Sequence, residues 1–214
     1  MNPKRITTTA SLVEALDHRS GDASAREAFD RAIWAELGTD AAILVTDLSG
    51  FTRLTKTHGI LHFLAIFRRC ERICMPVIKA HGGCLMKHEA DDLICIFPGP
   101  LDALHASLDM LRALETANRT LDPDDHVNLC VGIESGHLLR LEDDAFGDPV
   151  NVACKLGEDI AKAGEVLLGP NAYAAARASA FDFSGWIVDG PRSVVTGNVP
   201  LEHYSIRRAP PLED

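Results

Sequence analysis

The order of patterns along this chain limits its fold more than any single motif does. A short apolar run, Ala41–Val45, leads into Thr46-Asp47-Leu48-Ser49-Gly50-Phe51 and reads as a buried strand ending in a polar turn. A helical pattern follows from Phe51 to Ala80, and His81-Gly82-Gly83 stops it. Cys84–His88 and Leu93–Phe97 are short strands around the polar tip Glu89-Ala90-Asp91-Asp92, which is a hairpin signature. After Pro98-Gly99-Pro100 comes an amphipathic helix, Leu101–Ala117, and then strands at Val127–Glu134 and His137–Glu142. Strand, helix, hairpin, helix, strand lets both helices cross one face of a mostly antiparallel sheet. The fold class expected is therefore α+β, with a ferredoxin-like βαββαβ core.

The remaining segments are additions to that core. A helical pattern covers Asp148 to Ala161, a strand Val166–Leu168 and a short helix Ala172–Ala178, with two weak strands near Phe181–Val188 and Leu201–Ile206. Ahead of the core, Ser11–Leu37 carries helical periodicity interrupted at Gly21-Asp22, with Asp22 placed to cap the second piece, and Gly38-Thr39-Asp40 reads as a break. The expected organisation is an N-terminal helical appendage over 1–40, one main domain over 41–207 and a tail over 208–214.

Composition narrows the partners. Of the 214 residues, 46% are apolar, enough for a substantial core. The formal charge of −10 disfavours general binding to nucleic acid or to an anionic membrane, since both need a basic footprint. It does not disfavour a nucleotide, because metal ions and a few local cations can offset charge at one site. The six cysteines form no CxxC pair and several lie in apolar runs, so they are expected to be reduced and packed. Met1–Thr9 has no apolar h-region and no stretch reaches membrane-spanning length, so the cytoplasm is the expected location.

Three groups of residues could carry chemistry. Asp47 ends an apolar strand just before a turn and a helix start, where free backbone N–H groups of Leu48, Ser49, Gly50 and Phe51 suit phosphate oxygens and an aspartate can hold Mg²⁺. Read alone, it is equally an Asx turn or a cap. Asp91 sits at the hairpin tip with Asp92 beside it and Glu89 two residues before. Such a cluster is usually just solvated, unless the strand carrying Asp47 lies next to the hairpin, as the fold requires. Asn151 and Lys155 are four apart on one helix face, following Asp144 and Phe146-Gly147. An amide and a cation there suit ribose and phosphate, or form an exposed face with no role.

Together these pieces resemble the catalytic domain of class III nucleotidyl cyclases, the adenylyl and guanylyl cyclases, from about Ala41 to Ile206. The matching segments are Val45–Thr52, His81 through Asp91, Val131–Gly136 and Phe146–Asn151. The resemblance implies that Asp47 and Asp91 hold two divalent ions, Mg²⁺ or Mn²⁺, with Leu48 at the same metal site. It makes Lys87 and Asp144 the readers of the base, Asn151 the residue that orients the ribose, and Lys155 the contact to the triphosphate in place of an arginine. It also implies a head-to-tail homodimer with active sites at the interface. Lys87 can donate to adenine N1 and Asp144 can accept from the N6 amino group, whereas guanine reverses that pattern. The activity expected is ATP to 3′,5′-cyclic AMP and pyrophosphate, a signalling reaction.

The chain departs from the family at three places. His88-Glu89-Ala90 stands where Thr-x-Gly is usual, Lys155 replaces arginine, and Thr196-Gly197 lacks a basic residue before the glycine of the last hairpin. These departures leave open a cyclase for another triphosphate, a slow cyclase, or a cyclase-like binding or dimerisation module. A diguanylate cyclase is disfavoured because the Gly-Gly-Asp/Glu-Glu-Phe hairpin is absent.

Overall fold

The computed structural model describes residues 5–179, 181–196 and 199–209. Its elements are α1 (Thr9–Leu16), α2 (Ala23–Leu37), β1 (Gly38–Leu48), α3 (Phe51–His58), α4 (Ile60–Ala80), β2 (Cys84–Glu89), β3 (Asp92–Phe97) and α5 (Pro100–Asn118). They continue with β4 (Leu129–Arg140), β5 (Ala145–Phe146), α6 (Asp148–Cys154), β6 (Glu165–Leu168), α7 (Pro170–Ala178), β7 (Trp186–Thr196) and β8 (Val199–Arg208). One sheet runs β2-β3-β1-β4-β6-β8-β7, with β5 paired to β4. The first four strands in that order are antiparallel neighbours, which is the ferredoxin-like core, and β6 joins β4 in parallel.

Strand β1 is central, and its alternation fixes the two layers. Ala42, Leu44 and Leu48 face α4 and α5 in the main core with Phe63, Ile66, Ile78 and Leu104. Ala41, Ile43 and Val45 face the other way, against Leu138, Ala145 and Ala153 beneath α6. Full burial on both faces explains why Ala41–Val45 reads as a continuous apolar run rather than an alternating one.

Several boundaries differ from the sequence expectation. Gly38-Thr39-Asp40 is not a break but the first three residues of β1, because pairing with β4 extends to Leu139. The helix over 51–80 is divided at Gly59, whose φ of +85° no helix accommodates. Val127–Glu134 and His137–Glu142 are not two strands; β4 runs unbroken through Ser135 and Gly136 because β1 offers eleven consecutive partners. The pair placed near Phe181–Val188 and Leu201–Ile206 forms a longer hairpin, Trp186–Thr196 with Val199–Arg208. Gly197 and the side chain of Thr196 lie outside the described residues, as do 210–214 of the tail and 1–4 of the N-terminus.

The helix expected over Asp148–Ala161 changes character midway. After α6 the chain widens into a π-helical turn, Lys155–Ile160, closed by Ala161 N–H donating to Leu156 O. This turn presses on the sheet through two glycines. A Cβ on Gly132 would collide with the Ala153 carbonyl and the Gly157 nitrogen, so only glycine lets helix and strand approach this closely.

At the other end, α1 and α2 pack Leu12, Ile33 and Leu37 on Leu141, with Phe29 and Leu139 alongside. Asp22 caps α2 by accepting from Ala25 N–H, as its position implied. All six cysteines are free thiols, and four are buried; Cys84 is exposed, against the expectation of packed cysteines. Among the described residues no helix is long and apolar enough to cross a membrane.

Candidate active site

Strand β1 and the β2–β3 hairpin bring the two acidic turns together. Thr46 pairs with Leu93, so Asp47 emerges from β1 beside the hairpin tip. Carboxylate oxygens of Asp47, Asp91 and Asp92 lie within 4.8 Å of one another. The tip is a two-residue turn in which Ala90 takes φ +54°, so the left-handed position falls on alanine rather than glycine. That conformation costs about 1 kcal/mol.

The electrostatics show what this cluster lacks. Burial, then Asp91 and Glu158, pushes the Asp47 carboxyl up to about 6. Asp92 is pushed up to about 8, first by burial, then by Glu158, Asp47 and Asp91. Asp91 is also raised by burial, although its own amide and that of Leu48 donate to it. Asp91 Oδ2 and Asp92 Oδ1 are buried with no hydrogen-bond partner among the described residues. Acidic oxygens that repel one another and find no donor fit a divalent cation, and the all-oxygen donor set suits Mg²⁺ or Mn²⁺.

Asp92 is the residue that the sequence reading left out of the site. Strand alternation should turn it away from Asp91, but it sits where β3 leaves a tight turn, and the pleat does not yet separate the two side chains. Its place directly after Asp91, as the third acid of the hairpin tip, was the available signal. Glu158 is a second omission: it lies on the π-helical turn, and the extra residue of that turn sets which side chain faces the cluster.

Beyond Asp47, Leu48 ends β1 and Ser49-Gly50 turns into α3. Gly50 holds φ +100° at the N-cap of α3, and no side chain caps that helix. The first N–H groups of α3 therefore remain available for an anion. Phe51 is exposed and meets Phe63 edge-on at 4.7 Å between ring centroids.

Lys87 and Asp144 are joined although 57 residues apart. Lys87 Nζ donates to Asp144 Oδ2 at 3.0 Å and lies 3.2 Å from Glu89. Burial opposes the charge on Lys87, but its two carboxylate partners outweigh that and hold its pKa above the usual lysine range. Asp144 is further fixed by accepting from the Ala145 N–H.

Asn151 and Lys155 share an exposed face at the end of α6, and neither bonds the three carboxylates among the described residues. Lys155 Nζ instead donates to Asp159 at 2.6 Å, which raises its pKa. His58 and His62, four apart in sequence, bond the side chain and the backbone carbonyl of Asp124 respectively.

Comparison with known proteins bears on the fold. No family model matches the chain. A Rhizobium meliloti protein named "Putative adenylate cyclase 3" is 30% identical over 128 residues, which is 60% of this chain and 22% of that protein. A Myxococcus xanthus protein, serine/threonine-protein kinase pkn2, is 28% identical over 124 residues, 58% of this chain and 15% of its own length. The chain thus spans less than a quarter of either relative. Among solved structures, an adenylate/guanylate cyclase/hydrolase from Silicibacter pomeroyi superposes with TM-score 0.65 at 23% identity, covering 79% of this chain and 97% of the other. The guanylyl cyclase Cya2 superposes equally well, TM-score 0.65, at 20% identity, covering 82% and 95%.

Proposed function

We propose that this chain, which has the fold of the class III adenylate/guanylate cyclase domains, converts ATP to 3′,5′-cyclic AMP and pyrophosphate at the interface of a homodimer. Its catalytic domain is taken as residues 41–207 together with Gly38–Asp40, which belong to β1, and the helices before them form the appendage. The observation that carries the reading is the convergence of Asp47, Asp91 and Asp92 with two orphaned buried oxygens at the end of β1, beside the uncapped start of α3.

The three aspartates would hold the divalent ions, which when bound neutralise the triphosphate and favour loss of the 3′-hydroxyl proton. Amides of Gly50 and Phe51 would receive phosphate oxygens, whereas the Ser49 N–H expected to join them already donates to Asn128 O. Lys87 and Asp144 present a donor beside an acceptor, the complement of the adenine edge, and their ion pair fixes both before substrate arrives. A mispaired guanine would leave buried polar groups unsatisfied, which discriminates strongly. Asn151 orients the ribose and Lys155 supplies positive charge to the triphosphate. Both are exposed and bond none of the three clustered aspartates of their own chain, which suits a site completed by a second copy.

A weak or inactive cyclase-like module is the second reading, favoured by the Lys155–Asp159 pair. A lysine already held at 2.6 Å by a carboxylate contributes less to a transition state than a free bidentate arginine. To separate the readings, purified protein is incubated with each of the four ribonucleoside triphosphates and Mn²⁺ or Mg²⁺, and products are identified by mass spectrometry. Cyclic AMP from ATP supports the proposal. Product from GTP alone refutes the base assignment, and bound nucleotide without any product establishes the module.

A further inference from the structure

A cavity of about 450 Å³ opens on the helix side of the sheet, away from the base-reading pair. Its apolar walls are Leu111 of α5, Leu129 of β4 and the ring of Trp186, which is 8% exposed. Arg112 and Arg208 lie over that ring with their guanidinium carbons 5.3 and 5.5 Å from its centroid. Arg119 adds a third guanidinium to the rim. Arg112 is already held by Asp109 at 2.7 Å, so Arg119 and Arg208 face the one carboxylate of the lining, Glu115, in a chain whose net charge is −10.

Glu115 occupies the position that an anionic ligand would take. One of its oxygens accepts from Arg119 at 3.3 Å and the other lies 3.8 Å from Arg208. Both distances are long for charge-assisted bonds, so the carboxylate bridges the two arginines loosely. An apolar wall, an aromatic floor and cations at the rim suit an amphipathic anion with an aromatic body.

We propose that this cavity binds a small aromatic carboxylate, whose ring packs on Trp186 and whose carboxylate displaces Glu115 from Arg119 and Arg208. The location gives such a ligand a route to the cation site. Asn128 and Leu129 line the cavity. Asn128 O accepts from Ser49 N–H at 2.9 Å, and Leu129 pairs with Leu48, the residue after Asp47. A ligand that shifts the start of β4 therefore moves the segment that carries a metal-binding aspartate.

The binding test does not depend on cyclase activity. Trp34 and Trp186 are the two tryptophans, so Trp34→Phe leaves Trp186 as the sole tryptophan, which is excited selectively at wavelengths where the two tyrosines do not absorb. In that background, titration with 3-phenylpropionate is expected to change the emission saturably, whereas its neutral amide and acetate bind at least 10-fold more weakly. Arg208→Gln should weaken binding about 10-fold, the loss of one charge-assisted bond. Glu115→Gln should tighten it several-fold by releasing the arginines. No saturable change up to 10 mM, on the order of the weakest pocket affinities, or equal binding of the amide, overturns the site. Weaker binding in Glu115→Gln overturns the displacement of Glu115. Mn²⁺ affinity, measured by calorimetry with and without saturating 3-phenylpropionate, should differ at least threefold, and an unchanged value overturns the coupling.

Discussion

Replacing Asp92 by asparagine separates two opposite effects of the third carboxylate. Without a cation, Asp92 is a liability. Its oxygens lie within 4.8 Å of two other acids, and one oxygen is buried without a partner. Two unit charges about 5 Å apart at an effective dielectric constant near 20 repel by roughly 3 kcal/mol, and half-exposure of the cluster reduces this to about 1–2 kcal/mol. Asparagine keeps the shape and can still donate to Asp47, as Asp92 does when protonated. In chelator at pH 8 the variant should therefore melt higher than wild type by roughly 2–6 °C for a chain of this size. With cation present the carboxylate becomes an asset. Loss of one charge-assisted ligand should weaken Mn²⁺ binding by about 1.5–3 kcal/mol, roughly 10- to 100-fold. Scanning calorimetry in chelator and in excess Mn²⁺, with titration calorimetry for affinity, reads both. A variant that melts lower in chelator while binding Mn²⁺ as tightly as wild type would refute the reasoning.

Four further outcomes follow from the same geometry. Folded-state pKa values of about 6 for Asp47 and about 8 for Asp92 exceed the unfolded value near 4, so the folded state binds more protons in that window. Cation-free stability should then fall as pH rises from 4 to 8, and Asp92→Asn or excess Mn²⁺ should flatten the curve in thermal melts. Asp47→Ala and Asp91→Ala are each expected to remove nearly all turnover while leaving a folded dimer, as read by product assay and sedimentation; retained activity in either contradicts the cation assignment. Lys155→Arg should raise kcat several-fold, because a fork can bond phosphate while still meeting Asp159; an unchanged or lower value counts against its role. Glu134 is buried and accepts from the backbone N–H groups of Ser135, Asn171 and Ala172, tying β4 to the start of α7. Glu134→Ala leaves those donors unpaired and should destabilise by about 2–4 kcal/mol in urea unfolding, without changing Mn²⁺ affinity.

Local pattern was enough for much of this protein. The buried run Ala41–Val45, the hairpin around Asp91, the two long helices and the cap at Asp22 were legible because strand burial, turn chemistry and helix capping are short-range effects written in adjacent residues. Their order alone implied a ferredoxin-like sheet with Asp47 beside the hairpin, and the sheet has that arrangement. The meeting of Lys87 with Asp144 was implied by resemblance, and their 3.0 Å contact across 57 residues is a tertiary fact. Other features depended wholly on long-range pairing. Strand β4 runs through Gly136 because β1 supplies partners beyond it. The π-helical turn forms where Gly132 and Gly157 let the helix press on the sheet, and it presents Glu158 to the acidic cluster. Asp92 belongs to that cluster because a tight turn delays the pleat. Sequence thus determined which residues could form each element and which acids stood at its ends. Only the tertiary structure decided how many of those acids share one half-buried space, because desolvation and mutual repulsion act between residues that the chain itself keeps far apart.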